Sequence, residues 1–294
     1  MATMTAHMGY VGSVTIDGVS FFMTGSSLNP TQAVEAPDAV AGSVIRRGWV
    51  YGKVDPTGNV TGPLHENATS LWTKAFNRTD DLDHLEDTVA IEIFFYRGGG
   101  WSFPECVINS LQISATAGEV ITFTADFAGR SQTNATVGNA TEMEPYAKLM
   151  TWDRCVFSIS DAAGKLDNLQ SINLTLNNNV QKLFAIQGEV NETDGLYPVD
   201  LPCGVREITG SISAYAQVPI HDLLAIGIGA DHWAAYDYDS SAKTVTFAVV
   251  GDGGNIIDVD FKAVFSRPEG SGQTGPAIYT LNFTAVCEPN DATL

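Results

Sequence analysis

Apolar and polar positions alternate in "GEVITFTADFAG", residues 118–129: Ile121, Phe123, Ala125 and Phe127 fall on one side, and Val120, Thr122, Thr124 and Asp126 on the other. The pattern returns in "GPAIYTLNFTAV", residues 275–286, where Tyr279, Leu281, Phe283 and Ala285 alternate with Ile278, Thr280, Asn282 and Thr284. A period of two, rich in Thr and aromatics, predicts strands with one packed face and one wetter face.

Other segments repeat in the same order. "DTVAIEIFFY" (87–96) and "KTVTFAVV" (243–250) place Val89, Ile91 and Ile93 in phase with Val245, Phe247 and Val249, 156 residues apart. The two opening segments align best at a separation of 158. "CVINSLQISA" (106–115) and "IIDVDFKAVFS" (256–266) precede them as further strands. "ATSLWTKAF" (68–76) and "VPIHDLLAI" (218–226) read as short helices, with i,i+4 pairs at Leu71–Ala75, Trp72–Phe76 and Ile220–Leu224. Helix, strand, strand and closing strand in one order imply an internal duplication.

The remaining segments fit less evenly. "GSVTIDGVSFF" (12–22) predicts a hairpin turning at Asp17-Gly18. "CVFSIS" (155–160) and "SINLTL" (171–176) read as strands, and "VREITGSISAYAQV" (205–218) as a long one. Its Ile208, Ile212, Ala214 and Ala216 face one way, and Thr209, Ser211, Ser213 and Tyr215 the other. Its first-half partner is expected in "GSVIRRGWVYG" (42–52), and residues 24–44, 52–68 and 188–204 are expected to be long loops, either arms reaching a neighbour or surface irregularities. The polar run at 129–145 marks the boundary, giving a first domain at 1–135, a linker at 136–148 and a second domain at 149–294. Each half is then a small all-β sandwich or distorted barrel with a short helix.

The charge narrows the partners. Thirty-four acidic residues against 15 basic give −19, which disfavours binding to a nucleic-acid backbone. Neither a secretory leader nor a membrane-spanning apolar run is expected. The four cysteines, Cys106, Cys155, Cys203 and Cys287, form no CxxC and read as small buried hydrophobes. The five histidines make no close ligand pair, and "DDLDHLED" (80–87) lacks the alternation and central Gly of a calcium loop. "RGGGW" (97–101) and "GDGG" (251–254) read as hairpin turns, because phosphate cradling needs a following helix. No catalytic residue, metal site or cofactor is expected.

The duplicated pattern resembles the major tail tube proteins of long-tailed bacteriophages, in the form where one chain carries two copies of the tube domain. The resemblance rests on "LQSINLTLNNNVQKLFAIQG" (169–188), "LPCGVREITGSISA" (201–214), the "KTVTF" strand, the closing pair "VDFKAVFSRP" and "YTLNFTAV", and the opening "GYVGSVTIDGVSFF". It implies a structural virion protein, an all-β tandem duplication whose copies form rings stacked into the conduit for DNA. Three chains would give each pseudo-hexameric ring. A tape measure protein, a tail terminator and baseplate or tail-tip proteins would be partners. The genome would pass without specific binding, and the subunit would not insert into membranes. It would be made and assembled in the host cytoplasm and reside in the virion tail. The wet-face residues Thr122, Thr124, Asp126, Glu207, Thr209, Ser211 and Ser213 are the expected channel-facing set. Alternatives are a tail-tip, baseplate or head decoration protein, and a two-domain carbohydrate-binding adhesin module.

Overall fold

In a computed structural model of the chain, residues 12–21, 25–26, 29–35, 50–76, 84–85, 88–95, 99–135, 148–159, 169–185, 196–215, 243–266, 269–270 and 278–285 are described. The first-half strands are β1 (Gly12–Ile16), β2 (Val19–Phe21), β3 (Gly25–Ser26), β4 (Asn29–Glu35), β5 (Val50–Pro63), β6 (Val89–Phe95), β7 (Gly99–Thr116), β8 (Thr122–Gly129) and β9 (Thr133–Ala135). One helix, α1 (Thr69–Phe76), lies between β5 and β6. The second half supplies β10 (Cys155–Ile159), β11 (Leu169–Asn177), β12 (Glu207–Tyr215), β13 (Lys243–Gly251), β14 (Gly254–Phe265), β15 (Glu269–Gly270) and β16 (Ile278–Ala285).

Local chemistry explains several of these elements. Asp17 and Gly18 both have positive φ, 53° and 77°, as a type I′ hairpin turn requires, and they join β1 to β2. In α1 the apolar stripe Leu71, Trp72, Ala75 and Phe76 is buried, and the Trp72 and Phe76 rings stack at 4.1 Å. Asp252 and Gly253 turn β13 into β14 across the pair Gly251↔Gly254. The second expected helix, at 218–226, lies outside the described residues.

All sixteen strands join one antiparallel sheet. Two runs within it follow the same order. The first is β1–β6–β7–β8–β5–β4, and the second is β10–β13–β14–β16–β12–β11. The runs meet where β11 pairs with β7, from Ser171↔Thr116 to Asn177↔Ser110. β7 is 18 residues long, so one edge holds β6 along its first part and β11 along its last, while β8 takes the other edge. Beneath the sheet one principal core runs through both halves, from Val14 and Phe21 through Phe123 and Ile172 to Phe247 and Phe283.

Two sequence expectations are corrected. Residues 24–44 and 52–68 are not simply long loops, because β3, β4 and β5 occupy much of both. In β5, Val54, Pro56, Val60 and Gly62 are buried; the Pro and Gly among them hide the alternation. Pro30 faces Pro56 in the β4–β5 ladder, where neither has an N–H to donate. The strand placed beside β8 as β12 is placed beside β16 is β5, not residues 42–52, which overlap it only at Val50, Tyr51 and Gly52. Of the expected linker, Lys148 is described; its Nζ donates to Asp252 at 2.6 Å.

The seam between the halves is locked by a buried amide. Asn178 is fully buried, and its Nδ2 donates to Ala75 O and Ile108 O at 2.9 Å each. Its Oδ1 accepts from Arg206 Nε at 3.1 Å, while Arg206 Nη2 donates to Phe76 O and the guanidinium lies 5.2 Å from the Phe76 ring centre. The last carbonyls of α1, orphaned by helix geometry, thus find their donors in the second half.

Candidate functional site

The unburied face of the sheet is built from the polar phases of six neighbouring strands. Antiparallel register puts matched residues opposite one another, so the polar positions line up in rows crossing the strands. One row runs Asn59, Asp126, Ser110, Asn177, Glu207. The next runs Thr61, Thr124, Gln112, Thr175, Thr209, Thr284. A third runs Pro63, Thr122, Ser114, Asn173, Ser211, Asn282, and a fourth Thr116, Ser171, Ser213, Thr280.

All seven residues singled out from sequence stand in these rows. Thr122, Glu207 and Thr209 are exposed; Thr124, Asp126, Ser211 and Ser213 are half-buried. They come from β8 and β12, which do not touch. β7 and β11 lie between them and contribute Ser110, Gln112, Ser114, Thr116, Ser171, Asn173, Thr175 and Asn177, which sequence reasoning missed. Their signal was present as the polar phase of "NSLQISAT" and "SINLTLN"; what was absent was any local sign that the two strands pair.

Hydrogen bonds join neighbours within the rows and, at Gln112–Asn173, link two of them. Ser110 Oγ donates to Asp126 at 2.5 Å, Gln112 Nε2 donates to Asn173 Oδ1 at 3.0 Å, and the hydroxyl pairs Thr61–Thr124 and Ser213–Thr280 stand at 3.1 Å. Hydroxyls and amides predominate. Within these rows the only charged side chains are Asp126 and Glu207, both acidic. Beyond Thr284, β14 continues the face with exposed Asp258, Asp260 and Lys262. The large negative charge is therefore only thinly represented here, and no cation stands among the six strands' rows.

The opposite phase is packed. Leu111, Ile113, Phe123, Ala125, Leu174, Leu176, Ile208, Ile212, Leu281 and Phe283 are all buried. Gly210 is required at its place in this layer, since a Cβ would lie 2.3 Å from Asn173 O and 2.4 Å from Phe283 Cζ. Burial pushes the Cys106 and Cys155 thiols up to about 12, which keeps them protonated and unreactive at neutral pH. Trp72 is buried, whereas Trp152 is 48 % exposed just before β10. Among the described residues, no group of three His, Cys, Asp or Glu side chains could hold a metal ion, and no helix is long and apolar enough to cross a membrane.

A wide hydroxyl-rich face backed by an apolar layer, on a sheet whose marginal strands meet no further strand among the described residues, defines a structural β-protein built to associate with other surfaces. The chain belongs to the phage tail tube protein family, whose model matches residues 12–285. It is a structural, non-enzymatic component of a viral tail, and such proteins self-assemble into tubes. A search of curated proteins returned no match to the chain.

Proposed function

We propose that the two halves are tandem copies of one tube domain, divided at residues 1–135, 136–148 and 149–294, and that three chains close into a pseudo-hexameric ring. Stacked rings make the wall of the conduit for DNA between capsid and host cell. The observation that carries this reading is the shared order of the two strand runs, β1–β6–β7–β8–β5–β4 and β10–β13–β14–β16–β12–β11.

The polar rows face the channel in this reading. Thr122, Thr124, Asp126, Glu207, Thr209, Ser211 and Ser213, with their neighbours from β7 and β11, give duplex DNA a hydrated surface. Without a row of cations there is no counterion release to hold the phosphates, so the duplex slides instead of binding. A tape measure protein fills the channel before DNA does, and a terminator and a tail-tip or baseplate assembly close the two ends. Assembly takes place in the host cytoplasm and the finished protein resides in the tail of the virion.

Rotational analysis of electron micrographs of assembled rings tests this directly. Six similar lobes from three chains are expected. Six chains per ring would overturn the duplication, and a ring that never stacks would favour a tail-tip role.

A further inference from the structure

We propose that a second copy of this chain adds its β3 and the start of its β4 to the edge of β14 and β15, repeating between chains the junction that β11 makes with β7 within one. This rests on the ring reading above and names the seam that such a ring requires.

The internal junction supplies the template. β11 occupies the β7 edge from Ser110 to Thr116, beyond the point where β6 stops pairing at Cys106. In the second run β13 plays the part of β6, and among the described residues its pairing with β14 reaches Ala263, opposite Lys243. Beyond that point β16 covers one edge through Val264↔Thr284, Phe265↔Phe283, Glu269↔Thr280 and Gly270↔Tyr279. Among the described residues no strand takes the other edge. The first-run counterpart of β11 shows the complementary pattern among the described residues. β3 and β4 pair with β5 alone, so their second edge likewise meets no described strand. The two surfaces differ, which makes the contact head-to-tail; repeated, it closes into a ring or continues as a helix. Strand addition of this kind satisfies backbone donors and acceptors on both edges.

The register follows from matched rows. Gly25 faces Thr61, which faces Thr124; Asn173 faces Ser211, which faces Asn282. Asn173 also faces Ser114, which faces Thr122, and Glu269 faces Thr280 in the corresponding place. Gly25 of one chain therefore meets Glu269 of the next. By the same steps Asn29, placed like Asn177, meets Val264, placed like Ser110. One difference separates the seams. The positions matching Asn178 and Arg206 are Pro30 and Pro56, so the polar lock within the chain has no counterpart between chains.

Disulfide trapping between two different variants tests the register, because the product can only be intermolecular. Gly25→Cys is mixed with Glu269→Cys, and Asn29→Cys with Val264→Cys, under mild oxidation. Facing residues of an antiparallel pair have Cα atoms about 4.5–5.5 Å apart, within disulfide reach. A reducible band of twice the chain mass is expected in both mixtures, at least tenfold stronger than in the off-register mixture of Asn29→Cys with Glu269→Cys or in wild type. Far-UV circular dichroism establishes that each variant is folded, and two pairs guard against one failing to fold. Tubes seen by microscopy without matched trapping would overturn this seam and leave the tube reading standing. Folded variants that give neither tubes nor trapping at any concentration would overturn both.

Discussion

The side-chain amide of Asn178 donates to the carbonyl of Ala75 at 2.9 Å, so a residue of the second half closes the last turn of the first half's helix. The same nitrogen reaches Ile108 O on β7, and Arg206 supports the amide from its oxygen side. Together with the β7–β11 ladder, these contacts join the two halves of the chain.

Replacing Asn178 with Ala should therefore destabilise the whole chain. Two buried acceptors and one guanidinium donor lose their partner, at a cost of roughly 1–3 kcal/mol. Urea unfolding is expected to show a lower midpoint at an unchanged slope. An unaltered midpoint would mean that water replaces the amide without penalty.

Gly210 and Gly253 should respond differently to alanine. At Gly210 the added methyl collides with Asn173 O and the Phe283 ring, an overpacking expected to cost about 1–3 kcal/mol or more. At Gly253 nothing lies within 4 Å of the new carbon, so Gly253→Ala should be close to neutral. Thermal melting of the two variants side by side checks the contrast.

Acid should weaken the fold through His65. Its ring is fully buried, 4.5 Å from Phe21, with Nδ1 accepting from the Asn67 N–H at 3.2 Å. Desolvation is the main cause holding its pKa below the ordinary value of 6.5, against smaller raising effects of Glu66 and the Ser20 backbone. The Ser20 group acts without meeting hydrogen-bond geometry, since Nε2 makes no hydrogen bond. The unfolded chain therefore takes up this proton at higher pH than the folded one. Stability from this group is full above about pH 6.5 and declines as pH falls through and below that value. His65→Phe should flatten that part of the stability profile; an unchanged slope would contradict the assignment.

Reversing charge on the polar face should affect transit of DNA and not assembly. Asp126 and Glu207 stand in one row, five strands wide, on the side of the sheet away from the core. Particles carrying Asp126→Lys and Glu207→Lys are expected to form tails of normal length and to release DNA more slowly. Release kinetics equal to wild type from well-formed particles would remove these rows from the channel.

How much of this was legible in the sequence depended on how far each contact reached along the chain. The phases of β8, β12 and β16 could be read because polar residues, mostly Thr and Ser, alternate with apolar residues or Gly over at least seven positions. The turn at Asp17-Gly18 was equally plain, since positive φ at two successive residues restricts the choice of side chain. β5 escaped notice because Pro56 and Gly62 fill buried places where Val or Ile would have announced a strand. The pairing of β7 with β11 could not be seen locally, as Leu174 and Ile113 are 61 residues apart and either strand would look the same beside another partner. For that reason the alternation of the seven residues could be read strand by strand, while the eight that join them into continuous rows were missed.

The central claim is that the margins of this sheet are completed by other copies of the chain around a hole. Negative-stain electron microscopy of the purified protein over rising concentration is its most direct measurement. Hollow polymers with a regular axial repeat are expected. A folded monomer that persists at the highest concentration would contradict it.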